Sequence, residues 1–236
     1  MKPIFAVSIL SLLVVASLST ALLPAIAASP SPRIVQFTSG YTAGGSDTSV
    51  SLTFQKPVVR GDTIILCAGI VSGNSIQIST GTLVNNLNIV FHNIVRARTM
   101  TDTLAQMWYG TVGPTGFEAI HLSYNSGPAA LFGYELSGAT APHSFSKGID
   151  NARASTSSRV ASYNPGSGAL VIACGGFFAL EGVGTIGAGP EYTLDQSFSG
   201  NNAVEHRSGF SGTSTASPFH FSMTLYAWSE VSAGFV

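Results

Sequence analysis

The chain has 236 residues, of which 45% are hydrophobic and only 9% charged, with ten Lys and Arg set against eleven Asp and Glu. So little charge excludes a disordered acidic or basic tail and a heptad-built coiled coil, and a net charge of −1 leaves no electrostatic footprint for nucleic acid. What remains is a neutral globular protein whose surface is dressed in Ser, Thr and Gly.

Met1 to Ala27 reads as a secretory signal: Lys2 supplies the positive start, Ile4 to Leu23 the apolar stretch, and Ala25-Ile26-Ala27 a small-x-small cleavage site. An uncleaved anchor is the competing reading, since the apolar stretch approaches the ~20 residues that span a bilayer. Pro24 and the small residues after it favour cleavage, which leaves no membrane attachment in the mature chain. Residues 28–33 form a linker around Ser29-Pro30-Ser31-Pro32, where proline locks an extended backbone. Residues 34–236 are expected to form one β-sandwich domain, because no linker, charge run or shift in composition divides them.

Along that domain the pattern is strand and turn. Arg33 to Thr38 is the first strand candidate. Thr48 to Phe54 alternates Val50, Leu52 and Phe54 with Ser49, Ser51 and Thr53, as a half-buried antiparallel strand does. Asp62 to Val71, Leu87 to Phe91 and Leu104 to Tyr109 follow. Ile120, Leu122 and Tyr124 alternate again, with His121 and Ser123 opposite. Ala130 to Leu136 and Gly168 to Phe178 come next, and Phe219, Phe221, Met223, Leu225 and Ala227 suggest one last continuous strand. Clusters such as Asn125-Ser126-Gly127-Pro128 and Asn164-Pro165-Gly166-Ser167-Gly168 turn the chain between them. Gly138 to Ser162 is expected to be poor in strands and to cross the end of the sandwich. No window beyond the signal shows a capped, helix-period apolar stripe. The fold class is all-β, a single antiparallel sandwich of jelly-roll type.

Two of these runs match each other. Gly61-Asp62-Thr63-Ile64-Ile65-Leu66-Cys67-Ala68-Gly69 and Gly168-Ala169-Leu170-Val171-Ile172-Ala173-Cys174-Gly175-Gly176 agree in length, in bounding glycines and in the place of the cysteine. Strands lying side by side would let Cys67 and Cys174 form a disulfide outside the cytoplasm. It would close a loop of about 107 residues, worth roughly 4 to 5 kcal/mol in the chain-entropy model. Two buried free thiols are the alternative. Both runs are apolar at both parities, so both faces of each strand must be covered, by another part of the chain or by another subunit.

Motifs with chemistry are scarce. Gly182-Val183-Gly184-Thr185-Ile186-Gly187 fits GxGxxG, but Ala188-Gly189-Pro190 follows where a dinucleotide site needs a helix, so a surface loop is expected. His92, His121, His143, His206 and His220 stand singly, without HxH, HExxH or CxxC, so no metal and no cofactor is expected. The acids are dispersed. Asp150-Asn151 is the one compact polar candidate for calcium, and a turn explains it equally well. Ser167 lacks the GxSxG setting of a nucleophile. No catalytic residue is expected and the chain does not read as an enzyme. Tyr226 and Trp228 share one face of the last strand, where they would suit sugar stacking or a subunit contact unless the strand bends and buries them. Of Trp108 and Tyr109, one must point inward.

Gly61-Asp62-Thr63-Ile64-Ile65, Met107-Trp108-Tyr109, Tyr134-Glu135-Leu136-Ser137-Gly138 and Gly168-Ala169-Leu170-Val171-Ile172 fall in an order that resembles secreted β-sandwich domains of bacterial and archaeal surface proteins. In its architecture the chain is also similar to jelly-roll subunits of archaeal extracellular threads and cannulae, though it lacks their N-x-S/T sequons. That resemblance implies a non-enzymatic structural protein of the cell surface, self-associating into homo-oligomers or filaments by donor-strand complementation. The donor strand would be Arg33 to Thr38, carrying Ile34, Val35 and Phe37, with Val35 and Phe37 presented inward. A secreted carbohydrate-binding module, with a glycan as partner, is the alternative, and a β-sandwich hydrolase the third reading.

Overall fold

The computed structural model describes residues 31–72, 78–100, 102–150, 155–179, 184–198, 201–210 and 219–236, so the signal and half of the linker lie outside it. Sixteen strands form, all paired antiparallel, and no helix occurs among the described residues. The first eight are β1 (Arg33–Thr42), β2 (Ser49–Thr53), β3 (Thr63–Val71), β4 (Thr80–Asn85), β5 (His92–Arg98), β6 (Thr103–Thr111), β7 (Ala119–Tyr124) and β8 (Ala129–Ser137). The second eight are β9 (Ser144–Asp150), β10 (Ser155–Ser157), β11 (Ala169–Phe178), β12 (Ile186–Gly187), β13 (Thr193–Phe198), β14 (Asn202–Phe210), β15 (His220–Leu225) and β16 (Ala227–Phe235).

Their order contains a duplication. One five-stranded sheet runs β1-β8-β3-β6-β5 and the other β9-β16-β11-β14-β13. One three-stranded sheet runs β2-β7-β4 and the other β10-β15-β12. Adding eight to every strand of the first half gives the second. Each half is thus a two-sheet jelly roll whose fifth strand has joined the edge of the larger sheet. The two large sheets pack face to face, and each small sheet covers the outer face of its own large one. The sandwich is therefore four layers deep. The matched runs around Cys67 and Cys174 are β3 and β11, the central strands of the two large sheets.

Side-chain parity explains why those strands are apolar throughout. From β3, Ile65 and Cys67 point into the middle core with Phe132, Tyr134, Ile172, Cys174, Val204 and Val231. Ile64, Leu66, Ala68 and Ile70 point the other way, onto Leu52, Phe54, Ile120 and Leu122 of the first small sheet and its flanks. On the far side Ala173, Phe177 and Trp228 meet Ile186, Phe219 and Phe221 of the second small sheet. Each fully buried side chain of this size contributes about 1.5–3 kcal/mol by leaving water, so a strand buried on both faces gains roughly twice what an ordinary sandwich strand does. The cover comes from the same chain, as small sheets.

Three expectations are corrected. Gly138 to Ser162 is not strand-poor, since it holds β9 and β10. Strand β9 was hidden because it is an edge strand whose alternating Phe145, Lys147 and Ile149 are all exposed. Phe219 to Ala227 is not one strand: the chain bends at Tyr226, so that β15 lies in a small sheet and β16 in a large one. Val35 does not point inward, because the β1–β8 ladder has a bulge between Ile34 and Gln36 that leaves Val35 42% exposed.

Candidate functional site

The densest chemistry lies along the seam between the two large sheets. Cys67 and Cys174 sit mid-strand, fully buried, with Cα atoms 6.4 Å apart, and are joined as a disulfide. Two residues further along β3 the backbones come into contact. A Cβ on Gly69 would stand 2.5 Å from the Gly175 carbonyl oxygen, so only hydrogen fits. The buried Asn202 amide, oriented by its hydrogen-bond partners, donates from β14 to the Gly69 carbonyl at 2.9 Å.

At the side where β1 faces β13, aromatic and polar groups close the seam. Tyr41 stacks on Phe198 with ring centroids 4.7 Å apart and planes 4° from parallel, and Phe37 packs on Tyr134 at 4.8 Å. The Tyr134 hydroxyl donates to Asp195 Oδ2 at 2.5 Å, and the same carboxylate meets His206 Nδ1 at 2.8 and 2.9 Å through its two oxygens. Tyr134 is fully buried, and its phenol pKa is pushed well above the usual value by burial first and then by the charge of Asp195. It is therefore a permanent hydrogen-bond donor. The trio spans both halves, with Tyr134 from β8, Asp195 from β13 and His206 from β14. Chemically it is a charge-assisted clasp: no nucleophile stands beside the imidazole in this trio, and the hydroxyl is sealed from solvent.

Three further acids are strained by burial. Glu205, on β14, is inaccessible; one oxygen accepts from the Gly189 backbone N–H at 2.8 Å while the other has no partner, and burial raises its pKa to about 8. Glu118 is equally buried beside the backbone amides of Leu87 and Asn86, neither of which closes a full hydrogen bond, and burial raises its pKa to about 7. The third is Asp62, whose pKa is raised by partial burial and then by the neighbouring Glu135 carboxylate. Glu135 itself accepts from the Gln36 amide and the Val59 N–H, each at 2.6 Å. No three His, Cys, Asp or Glu side chains gather as a metal cage among the described residues. One cleft of about 490 Å³ opens at the end of the first large sheet, where the His92 and Tyr109 rings meet at 5.3 Å beside Asn88, Thr111 and Pro114.

The other residues singled out from the sequence are scattered. Ile34 and Phe37 lie on β1 and pack on the middle core of their own chain. Trp228 is not on an outer face: the bend at Tyr226 turns it under the second small sheet, where it is 6% exposed, while Tyr226 lies edge-on to Phe178 at 5.6 Å. That burial removes Trp228 from any sugar-stacking surface. Of the GxGxxG stretch, Gly182 and Val183 lie outside the described residues, and Ile186–Gly187 form β12, so no helix opens there. Asn151 also lies outside them. His121 bonds to Ser51, and both members of the Trp108–Tyr109 pair are covered, Trp108 under the first small sheet and Tyr109 against the middle core. Sequence reasoning missed the Tyr134–Asp195–His206 clasp, because its members stand 61 and 11 residues apart on three strands of two sheets. Among the described residues no helix is long and apolar enough to cross a membrane. Comparison with protein-family models, with curated proteins and with solved structures finds no match.

Proposed function

We propose that the protein is an exported, non-enzymatic structural subunit that assembles at the cell surface into filaments by exchange of β1. The carrying observation is the seat of that strand. Among the described residues it is the first element, it follows the Pro-rich linker, and its ladder pairs with β8 alone. Its Phe37 and Tyr41 fill a slot built from Tyr134 and Phe198, one residue from each half. The β1 strand of a second copy would make the same contacts, and vacating the slot leaves an unpaired β8 edge as its template. Repeated head to tail, the exchange grows an open filament. The signal-like N-terminus and the disulfide support an oxidising compartment outside the cytoplasm.

Arg33 and Ser137 are register partners, and their side chains already meet at 2.8 Å. A protein carrying R33C and S137C should form intermolecular bridges on oxidation, giving a ladder on a non-reducing gel and filaments by electron microscopy. A product that stays wholly monomeric, with the bridge internal, refutes strand exchange. A glycan-binding module is the second reading, favoured by the His92 and Tyr109 cleft. Saturable binding on a glycan array that Tyr109→Ala removes would support it.

A further inference from the structure

The first half carries a pair of cations that make no ion pair among the described residues. Arg96 and Arg98 stand two residues apart on β5, the open edge of the first large sheet, so both side chains leave the same face. Arg96 Nη2 lies 3.5 Å and Arg98 Nη1 3.3 Å from one acceptor, the Ile78 carbonyl oxygen. Two half-buried guanidiniums therefore converge on one point, and among the described residues their ten N–H donors meet one weak shared acceptor. The two ion pairs of the described residues are His206 with Asp195 and Arg207 with Glu191, so neither arginine has a carboxylate within ion-pair distance among those residues.

The polar neighbours are already engaged. Gln106, the β6 partner of Arg96, donates its amide to Asn93 Oδ1 at 2.7 Å and accepts from Thr80 at 2.8 Å. Burial and the charge of Arg98 both lower the pKa of Arg96, the direction expected of a cation that lacks a partner. Folding like charges together at a partly desolvated edge is unfavourable unless something neutralises them, and paired guanidiniums match the geometry of an oxoanion with two or three oxygens.

We propose that Arg96 and Arg98 form a binding site for an oxoanion, a sulfate, phosphate or carboxylate group, held between the two guanidiniums at the β5 edge. The site is independent of β1 exchange, because it lies at the opposite edge of the sheet. The test uses the folded, oxidised protein. Sodium sulfate, phosphate and acetate are titrated separately against sodium chloride at matched ionic strength, following the arginine Nε–H resonances. At least one of the three should move the Arg96 and Arg98 signals saturably, and which one does so identifies the class of group. Either R96Q or R98Q should weaken that binding at least tenfold, whereas K56Q, which removes an exposed cation beside β1 at the far edge of the sheet, should leave it within twofold. Should one arginine variant fail to fold, the other decides. Shifts no larger than those from chloride, or an equal loss in K56Q, would overturn the site.

Discussion

Replacing both cysteines with alanine (C67A, C174A) removes the disulfide that cross-links the halves, and its cost can be worked out. The bridge closes a loop of 107 residues. In the chain-entropy model that loop restricts the unfolded chain by about 16 cal/mol/K, or about 4.8 kcal/mol at 25 °C. Against a total stability of roughly 5–15 kcal/mol the loss is large, yet the middle core still joins the sheets, so the variant should fold. Unfolding in guanidinium can be followed by tryptophan fluorescence, because each half buries one indole under its own small sheet, Trp108 in the first and Trp228 in the second. The midpoint should fall by about 1 M, taking a slope near 5 kcal/mol/M. A loss below about 1 kcal/mol would refute the reasoning. So would two titratable thiols in the wild-type protein denatured without reductant.

Glu205→Gln should stabilise the protein at pH 9 and leave it nearly unchanged at pH 4. The folded pKa of about 8 lies above the unfolded value, so the native state favours the protonated acid; stability is full below about pH 4.5 and declines as pH rises through 8, by an amount on the order of 2–4 kcal/mol. Equilibrium unfolding across that range checks the sign, and a variant that loses stability at pH 9 contradicts it. Tyr134→Phe deletes the donor to Asp195 and should cost about 1.5–3 kcal/mol, read from the same denaturation curves. Gly69→Ala forces a methyl against the Gly175 carbonyl and should cost about 1–3 kcal/mol or prevent folding, seen as loss of amide dispersion.

The sequence made much of the middle of this fold legible, and the edges little. Strands such as β2 and β7 announced themselves, because Val50, Leu52, Ile120 and Leu122 alternate with polar residues that face solvent. The match between the runs around Cys67 and Cys174 was a local view of the internal duplication. The wider repeat escaped because the halves differ in sequence around the matched runs: Cys67 pairs with Met107 on β6, while its counterpart Cys174 pairs with Val204 on β14. Strands β9, β10 and β12 were hidden for a physical reason. Their exposed or very short stretches gain most of their stability from ladder hydrogen bonds to β15 and β16, and a backbone ladder leaves no side-chain signature. The arginine pair was readable as Arg96-Ala97-Arg98, yet only the fold reveals that both guanidiniums converge on the Ile78 carbonyl, with no carboxylate at ion-pair distance among the described residues.

Hydrogen exchange on the isolated monomer tests the four-layer duplication most directly. If each large sheet is shielded by a small sheet of its own chain, the amides of β3 and β11 should be the slowest in the molecule. Both strands should then exchange together, only through global unfolding. Exchange of either strand within minutes in the monomer, or protection that arises only on assembly, would contradict the architecture.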